Sequence, residues 1–223
     1  MPVVKYAATL LFFASGTVYG QMSKSIGWAS DYWYRGVSLS QGTPVVQGIV
    51  NYDFRDGLFV GLFTSGARGL GGTAEARQWM AFSGYSFRLD SRNSLDVGTH
   101  VNWLSGASYS RFNEIYAGLT TETYTLRFYY SPRYLAADSR SLYTDFNTGY
   151  PLNSSWNIIF HAGLLESFAV PDNRNSSRYD LRLGLGTHVG FWNFQLLLNT
   201  AKSSVPLPVP IANRLALNIV YSF

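Results

Sequence analysis

From residue 24 onward, apolar and polar side chains alternate almost one for one along the chain, and helical spacing is nearly absent. Alternation of period two puts neighbouring side chains on opposite faces of an extended strand. It predicts twelve strands, over 24–37, 45–54, 58–65, 76–89, 95–104, 113–120, 124–131, 142–150, 156–166, 178–189, 194–201 and 214–223. In the fifth, Leu95, Val97, Thr99, Val101 and Trp103 share one face, and Asp96, Gly98, His100, Asn102 and Leu104 share the other. The tenth repeats the pattern, with Tyr179, Leu181, Leu183, Leu185 and Val189 opposite Asp180, Arg182, Gly184, Gly186 and His188.

The connections sort themselves. "RDG" (55–57), "DSRN" (90–93), "TET" (121–123), "PLNSS" (151–155) and "GFWN" (190–193) are short and turn-like. The links between them, such as "GARGLGGTAE" (66–75), "AVPDNRNSS" (169–177) and "KSSVPLPVPIAN" (202–213), are longer, and the two kinds alternate without exception. A soluble sandwich has no reason to sort its loops, whereas an outer-membrane barrel has short turns on one side and long loops on the other. The expected fold is therefore all-β: a closed antiparallel transmembrane β-barrel of twelve strands, with short periplasmic turns and longer extracellular loops. Aromatic residues near strand ends, including Tyr52, Phe54, Tyr85, Phe87, Tyr150, Trp156 and Tyr221, fit two interfacial girdles with the apolar faces turned outward. The chain ends on the alternating stretch "NRLALNIVYSF". A closing strand must keep its backbone paired to the end so that no edge faces lipid. Terminal Phe223 resembles the signal by which the barrel-assembly machinery recognises such proteins.

Composition narrows the class. The chain is 47% hydrophobic and 17% aromatic but only 13% charged, against about 25% charged in ordinary soluble domains. Lys5, the apolar run 6–14 and the small residues before Gln21 predict a cleaved signal peptide over 1–20, leaving 21–223 as a single barrel domain. No later apolar run reaches helix-spanning length. There is no cysteine, which excludes disulfides and thiolate metal sites. The net charge of +4 is small and its basic residues are scattered, unlike a nucleic-acid groove.

The stretch "SDYWYRGVSLSQGTPVVQGIVNYDF", Ser30 to Phe54, resembles the opening of the TorF-type porins, with its Ser-Asp-Tyr-x-x-Arg-Gly-x-Ser motif followed by Pro-x-x-Gln-Gly. "GLFVGLFTS" (57–65) and "NEIYAGL" (113–119) are similar to later elements of that family. The long loops depart from it in bearing arginine where the family has aspartate. The resemblance implies an outer-membrane channel.

Alternation assigns to the lumen Asp31, Arg35, Asp96, His100, Glu114, Arg127, Asp145, His161, Asp180, Arg182, His188 and Arg214. Opposite charges in a barrel of this size have two readings. They pair and plug the interior, or they face water and select solutes passing by diffusion. Arg35, Arg127 and Arg182 lie on three separate predicted strands and are the expected water-facing charges of an open pore. A barrel enzyme is the rival reading, but His100, His161 and His188 have no serine beside them in the predicted lattice, so no catalytic residue is assigned. No metal or cofactor is expected. A structural or lipid-contacting barrel is a third reading. Arg68, Arg111, Arg133, Arg140, Arg178 and Lys202 fall in or just below the long loops, where they are expected to meet lipopolysaccharide phosphates.

Overall fold

A computed structural model of the chain describes residues 20–68, 75–105, 110–134, 139–169, 175–205 and 214–223. The predicted signal peptide, apart from Gly20, lies outside the described residues. The strands are β1 (Gln21–Ala29), β2 (Trp33–Tyr34), β3 (Val37–Ser38), β4 (Val45–Asp53), β5 (Leu58–Arg68), β6 (Glu75–Arg88), β7 (Ser94–Ser105), β8 (Ser110–Thr120), β9 (Tyr124–Ser131), β10 (Ser139–Pro151), β11 (Trp156–Ala169), β12 (Asn175–Val189), β13 (Trp192–Ser203) and β14 (Arg214–Ser222). Twelve of them form one closed antiparallel barrel in which β1 joins β4 on one side and β14 on the other. Closure runs from Ser25 opposite Ser222 to Ala29 opposite Asn218, and the Phe223 amide donates to the Lys24 carbonyl at 2.9 Å. No strand edge is left among these twelve, which is the condition for a sheet to stand in hydrocarbon.

The alternation reads outward as expected. Leu181, Leu183 and Leu185 on β12, Leu196 and Leu198 on β13, and Leu215 and Leu217 on β14 are exposed on the outside, while their neighbours turn in. Two aromatic bands edge this apolar surface. At the short-turn end lie Phe54, Phe87, Tyr124, Tyr150, Trp156, Phe191, Trp192 and Phe223, several in edge contact, as in Tyr221 against Phe223 at 4.9 Å. Toward the long-loop end lie Trp28, Trp79, Tyr130, Phe168 and Tyr179. Short turns are held by local side chains. Asp90 accepts from the Arg92 amide at 2.7 Å and the Asn93 amide at 2.9 Å, and these bonds hold its carboxyl below the ordinary carboxylate pKa.

The predicted first strand does not run from 24 to 37. β1 stops at Ala29, and the chain turns into the lumen as the β2–β3 hairpin before rejoining the wall at Val45. The reason is local: Arg35 and Gly36 adopt φ of 48° and 75°, the left-handed pair that a two-residue hairpin turn requires, and Trp33 faces Ser38 across it. A wall strand cannot contain such a reversal.

Candidate functional site

The inward loop is organised around one carboxylate. Asp31 is buried and accepts from Trp33 Nε1 at 2.7 Å, from the Ser38 hydroxyl, from the Ser40 hydroxyl at 2.9 Å and from the Gly42 amide at 2.9 Å. Arg214 Nη1 stands 3.8 Å from it. Asp31 and Ser38 of the motif, with Ser40 and Gly42 just beyond it, are therefore parts of one hydrogen-bonded knot. It is tied to the wall where the Arg68 amide donates to the Leu39 carbonyl at 2.6 Å and Tyr32 Oη donates to Gln78 Oε1 at 2.8 Å. Leu39 packs with Ala67 and Leu104 beneath the long-loop end.

From the tip of this hairpin Arg35 reaches β8. Its two Nη atoms donate to Glu114 Oε1 at 2.6 Å and Oε2 at 2.7 Å, with both side chains almost wholly buried. The guanidinium also lies 4.5 to 5.8 Å from the ring centres of Tyr143, Tyr34, Tyr129 and Tyr134. Burial works against its charge, and the Glu114 carboxylate overcomes that, raising the Arg35 pKa above its ordinary value. Arginine is a poor choice for a left-handed φ, so the position is held for its side chain rather than its backbone preference. Phe112, Tyr116, Tyr129, Tyr134, Tyr143 and Leu165 form the surrounding cluster.

Other charges pair along the wall. Arg127 Nε donates to Asp96 Oδ2 at 2.9 Å. They lie on β9 and β7, in one row with Gly118 of β8 between them. A Cβ on Gly118 would collide with the Arg127 side chain, so the missing side chain is what lets the arginine cross the intervening strand. His161 stands between two acids, with Nε2 2.7 Å from Asp180 and Nδ1 3.2 Å from Asp145. Tyr143 Oη donates to Asp180 at 3.2 Å. His100 is packed among Phe82, Tyr116 and Tyr129. Arg182 Nε donates to Asn199 Oδ1 at 2.8 Å.

Below the hairpin lies a cavity of about 500 Å³, lined both by hairpin residues Tyr32 to Arg35 and by the short-turn residues Thr121 to Thr123 and Gly190 to Asn193. It therefore extends from the hairpin to the short-turn end. Aromatic side chains of β5 to β9 form one wall, and carboxamides of β11 to β14 form the other.

Comparison with known proteins places this architecture. A family model described as "Bacterial protein of unknown function (Gcw_chp)" matches residues 14–198. The chain belongs to the Gcw_chp family. Among solved structures, a KdgM porin aligns with a TM-score of 0.53 at 10% identity, over 90% of this chain and 99% of that one. A second, from work on in-meso crystallization of membrane proteins, aligns with a TM-score of 0.52 at 8% identity, over 92% and 83%. At these identities the likeness is one of fold. No curated protein matches the sequence.

In this Gcw_chp barrel Asp31 and Arg35 are loop residues rather than wall residues, and Arg35 and Arg127 are each paired with a carboxylate of their own. Arg35, Arg127, Asp31, His100, Asp145, His161, Asp180, Arg182 and His188 border the cavity, whereas Asp96 and Glu114 are buried behind their arginines. Arg214 is half-buried beside Asp31. Of the expected lipopolysaccharide contacts, Arg111, Arg133, Arg140 and Lys202 are exposed, and Arg68 ends β5, where its Nε donates to Thr43. Arg178 is a correction. It occupies the same face of β12 as Asp180 and Arg182, is buried, and lies against the hairpin tip near Gly36, so it cannot meet lipid phosphate. Sequence reasoning missed the tyrosine cage and Asn199. Tyr129 and Tyr143 share the inward alternation of Arg127 and Asp145, and that was the available signal.

Proposed function

We propose that the protein is an outer-membrane channel for passive diffusion of small hydrophilic solutes, with the loop 30–44 folded inward as its constriction. The observation that carries this reading is a polar, charge-lined lumen holding a cavity of about 500 Å³ inside a barrel whose outside is apolar and banded by aromatics. The TorF-type resemblance supports it, because the Ser-Asp-Tyr-x-x-Arg-Gly-x-Ser motif of that resemblance, Ser30 to Ser38, lies in the inward-folded loop. The same proposal includes export with cleavage after Gly20, assembly through Phe223, long loops outside the cell and short turns in the periplasm. The cavity then opens toward the periplasm. At the outer rim, Arg77 lies over Trp79 and Arg111 over Trp103, at 5.9 and 5.6 Å, on the outward face, an arrangement suited to lipopolysaccharide phosphates.

The pairing of Arg35 with Glu114 and of Arg127 with Asp96 favours a second reading, a non-conducting structural barrel. Planar-bilayer recording decides between them. A channel gives small current steps in the wild type and larger ones when residues 32–41 are replaced by a Gly-Ser linker. Silence from both proteins assigns the barrel to the second reading.

A further inference from the structure

We infer that the cavity beneath the hairpin is a binding site for a small aromatic carboxylate, with Arg182 as the residue that takes the carboxylate. Three arginines border the cavity. Arg35 and Arg127 are each held by a carboxylate, and Arg182 by a neutral carboxamide alone. Among the described residues no carboxylate lies within ion-pair distance of the Arg182 guanidinium. One of its five N–H donors is taken by Asn199, and the two-pronged Nη edge keeps a full positive charge with no anion against it. A planar fork of this kind matches the two oxygens of a carboxylate.

The rest of the cavity describes the body of the ligand. Phe82, Tyr116 and Tyr129 are inward and buried, a wall suited to the face of a ring. Asn157 and Gln195 on the opposite wall supply carboxamides for a hydroxyl on its far edge. A cavity of about 500 Å³ with an aromatic wall facing placed polar groups has the form of a small-molecule site.

The inference deepens the channel reading by naming a solute class, and it rests on that reading only for the route of entry. Binding is therefore measured without conduction. Purified protein in neutral detergent is titrated calorimetrically with p-hydroxybenzoate, with the uncharged p-hydroxybenzyl alcohol and with inorganic phosphate. The acid is expected to bind at least tenfold more tightly than either of the others. Arg182→Gln should remove that preference. Asn199→Asp, which keeps the arginine but gives it an internal carboxylate, should remove it too, and retention of the folded barrel's gel mobility shows that each variant is intact. Equal affinity for acid and alcohol, no binding of the acid, or an undiminished preference in both variants overturns the inference. Phosphate binding as tightly as the acid overturns the aromatic part and leaves a bare anion site. A wild type that binds the acid but passes no current keeps the site and removes the channel.

Discussion

Replacing Glu114 by Gln tests whether the hairpin is a movable constriction. The substitution keeps the shape of the side chain but leaves the Arg35 guanidinium in its buried cage without a counter-charge. Two short bonds, 2.6 and 2.7 Å, between side chains 5% and 0% exposed are lost as an ion pair. Removing one partner of a buried pair costs about 3–5 kcal/mol. Arg35 sits on a loop rather than a wall strand, so the protein can escape the cost by releasing the hairpin from its seat. At about 1.4 kcal/mol per factor of ten, the displaced population rises by ~150-fold to several thousandfold. A conformer held by ~0.1% of wild-type molecules would then rise to roughly a tenth of the population at the low end of that range and exceed the seated one at the high end. The assay is bilayer conductance together with thiol labelling of Val37→Cys, a background with no other cysteine. Glu114→Gln should raise both the size of the current steps and the labelling rate at position 37. Adding Arg35→Gln should return much of the lost stability, since a buried neutral pair costs less than a stranded charge. If Glu114→Gln loses several kcal/mol of unfolding stability while conductance and labelling stay at wild-type values, the hairpin is a fixed plug and the argument fails.

Arg127→Gln strands Asp96, whose Oδ1 already has no partner, so it should lower barrel stability by about 3–5 kcal/mol in a denaturant titration rather than merely change ion preference; a shift in reversal potential with unchanged stability would contradict this. Asp31→Asn turns an amide toward the Trp33 Nε1 donor and should cost about 1–3 kcal/mol, read as faster protease cleavage between 30 and 44 with the wall strands still protected. The depressed Asp90 pKa means its turn is fully supported above the unfolded carboxylate value near about 3.9 and loses support as pH falls through the folded value, so amide exchange at Arg92 and Asn93 should quicken below that range. Arg111→Gln combined with Arg77→Gln should lower thermal stability in lipopolysaccharide-containing bilayers but not in neutral detergent; equal behaviour in both would remove the proposed phosphate contacts.

How much was legible follows from how far each contact reaches. Face assignment needs only the parity of a residue within its strand, so Asp96, Asp145, Asp180 and Arg182 could be turned inward from the sequence alone. Partnership needs the register between strands as well. Arg127 lies opposite Asp145 on its immediate neighbour, yet its ion pair is with Asp96 two strands away, across Gly118. The first strand misled for a different reason. "DYWYRGV" keeps the alternation and the aromatic content of a wall strand, and arginine is not a customary residue for the first turn position. The clue was the pair Arg35-Gly36 with Asp31 upstream and Ser38 and Ser40 downstream, a spacing that lets one carboxylate collect its donors only if the chain doubles back. Arg178 was misassigned because nearness to a long loop was weighed above parity, although parity on β12 groups it with Asp180.

The knot around Asp31 and the pair at Glu114 differ in how much chain must be in place before they can exist. Asp31 collects donors from two to eleven residues away, whereas Arg35 and Glu114 are separated by 79. Loops of the first kind close quickly and with little entropy loss, and loops of the second kind wait for the strands between them. The hairpin can therefore be complete when β1 and β4 first pair, and arrive in the closing barrel as a preformed body. Its charged tip then has no counter-ion until β8 is laid down. Arg35 must spend the early part of assembly in water, and its burial becomes a late step, coupled to the closing of the wall.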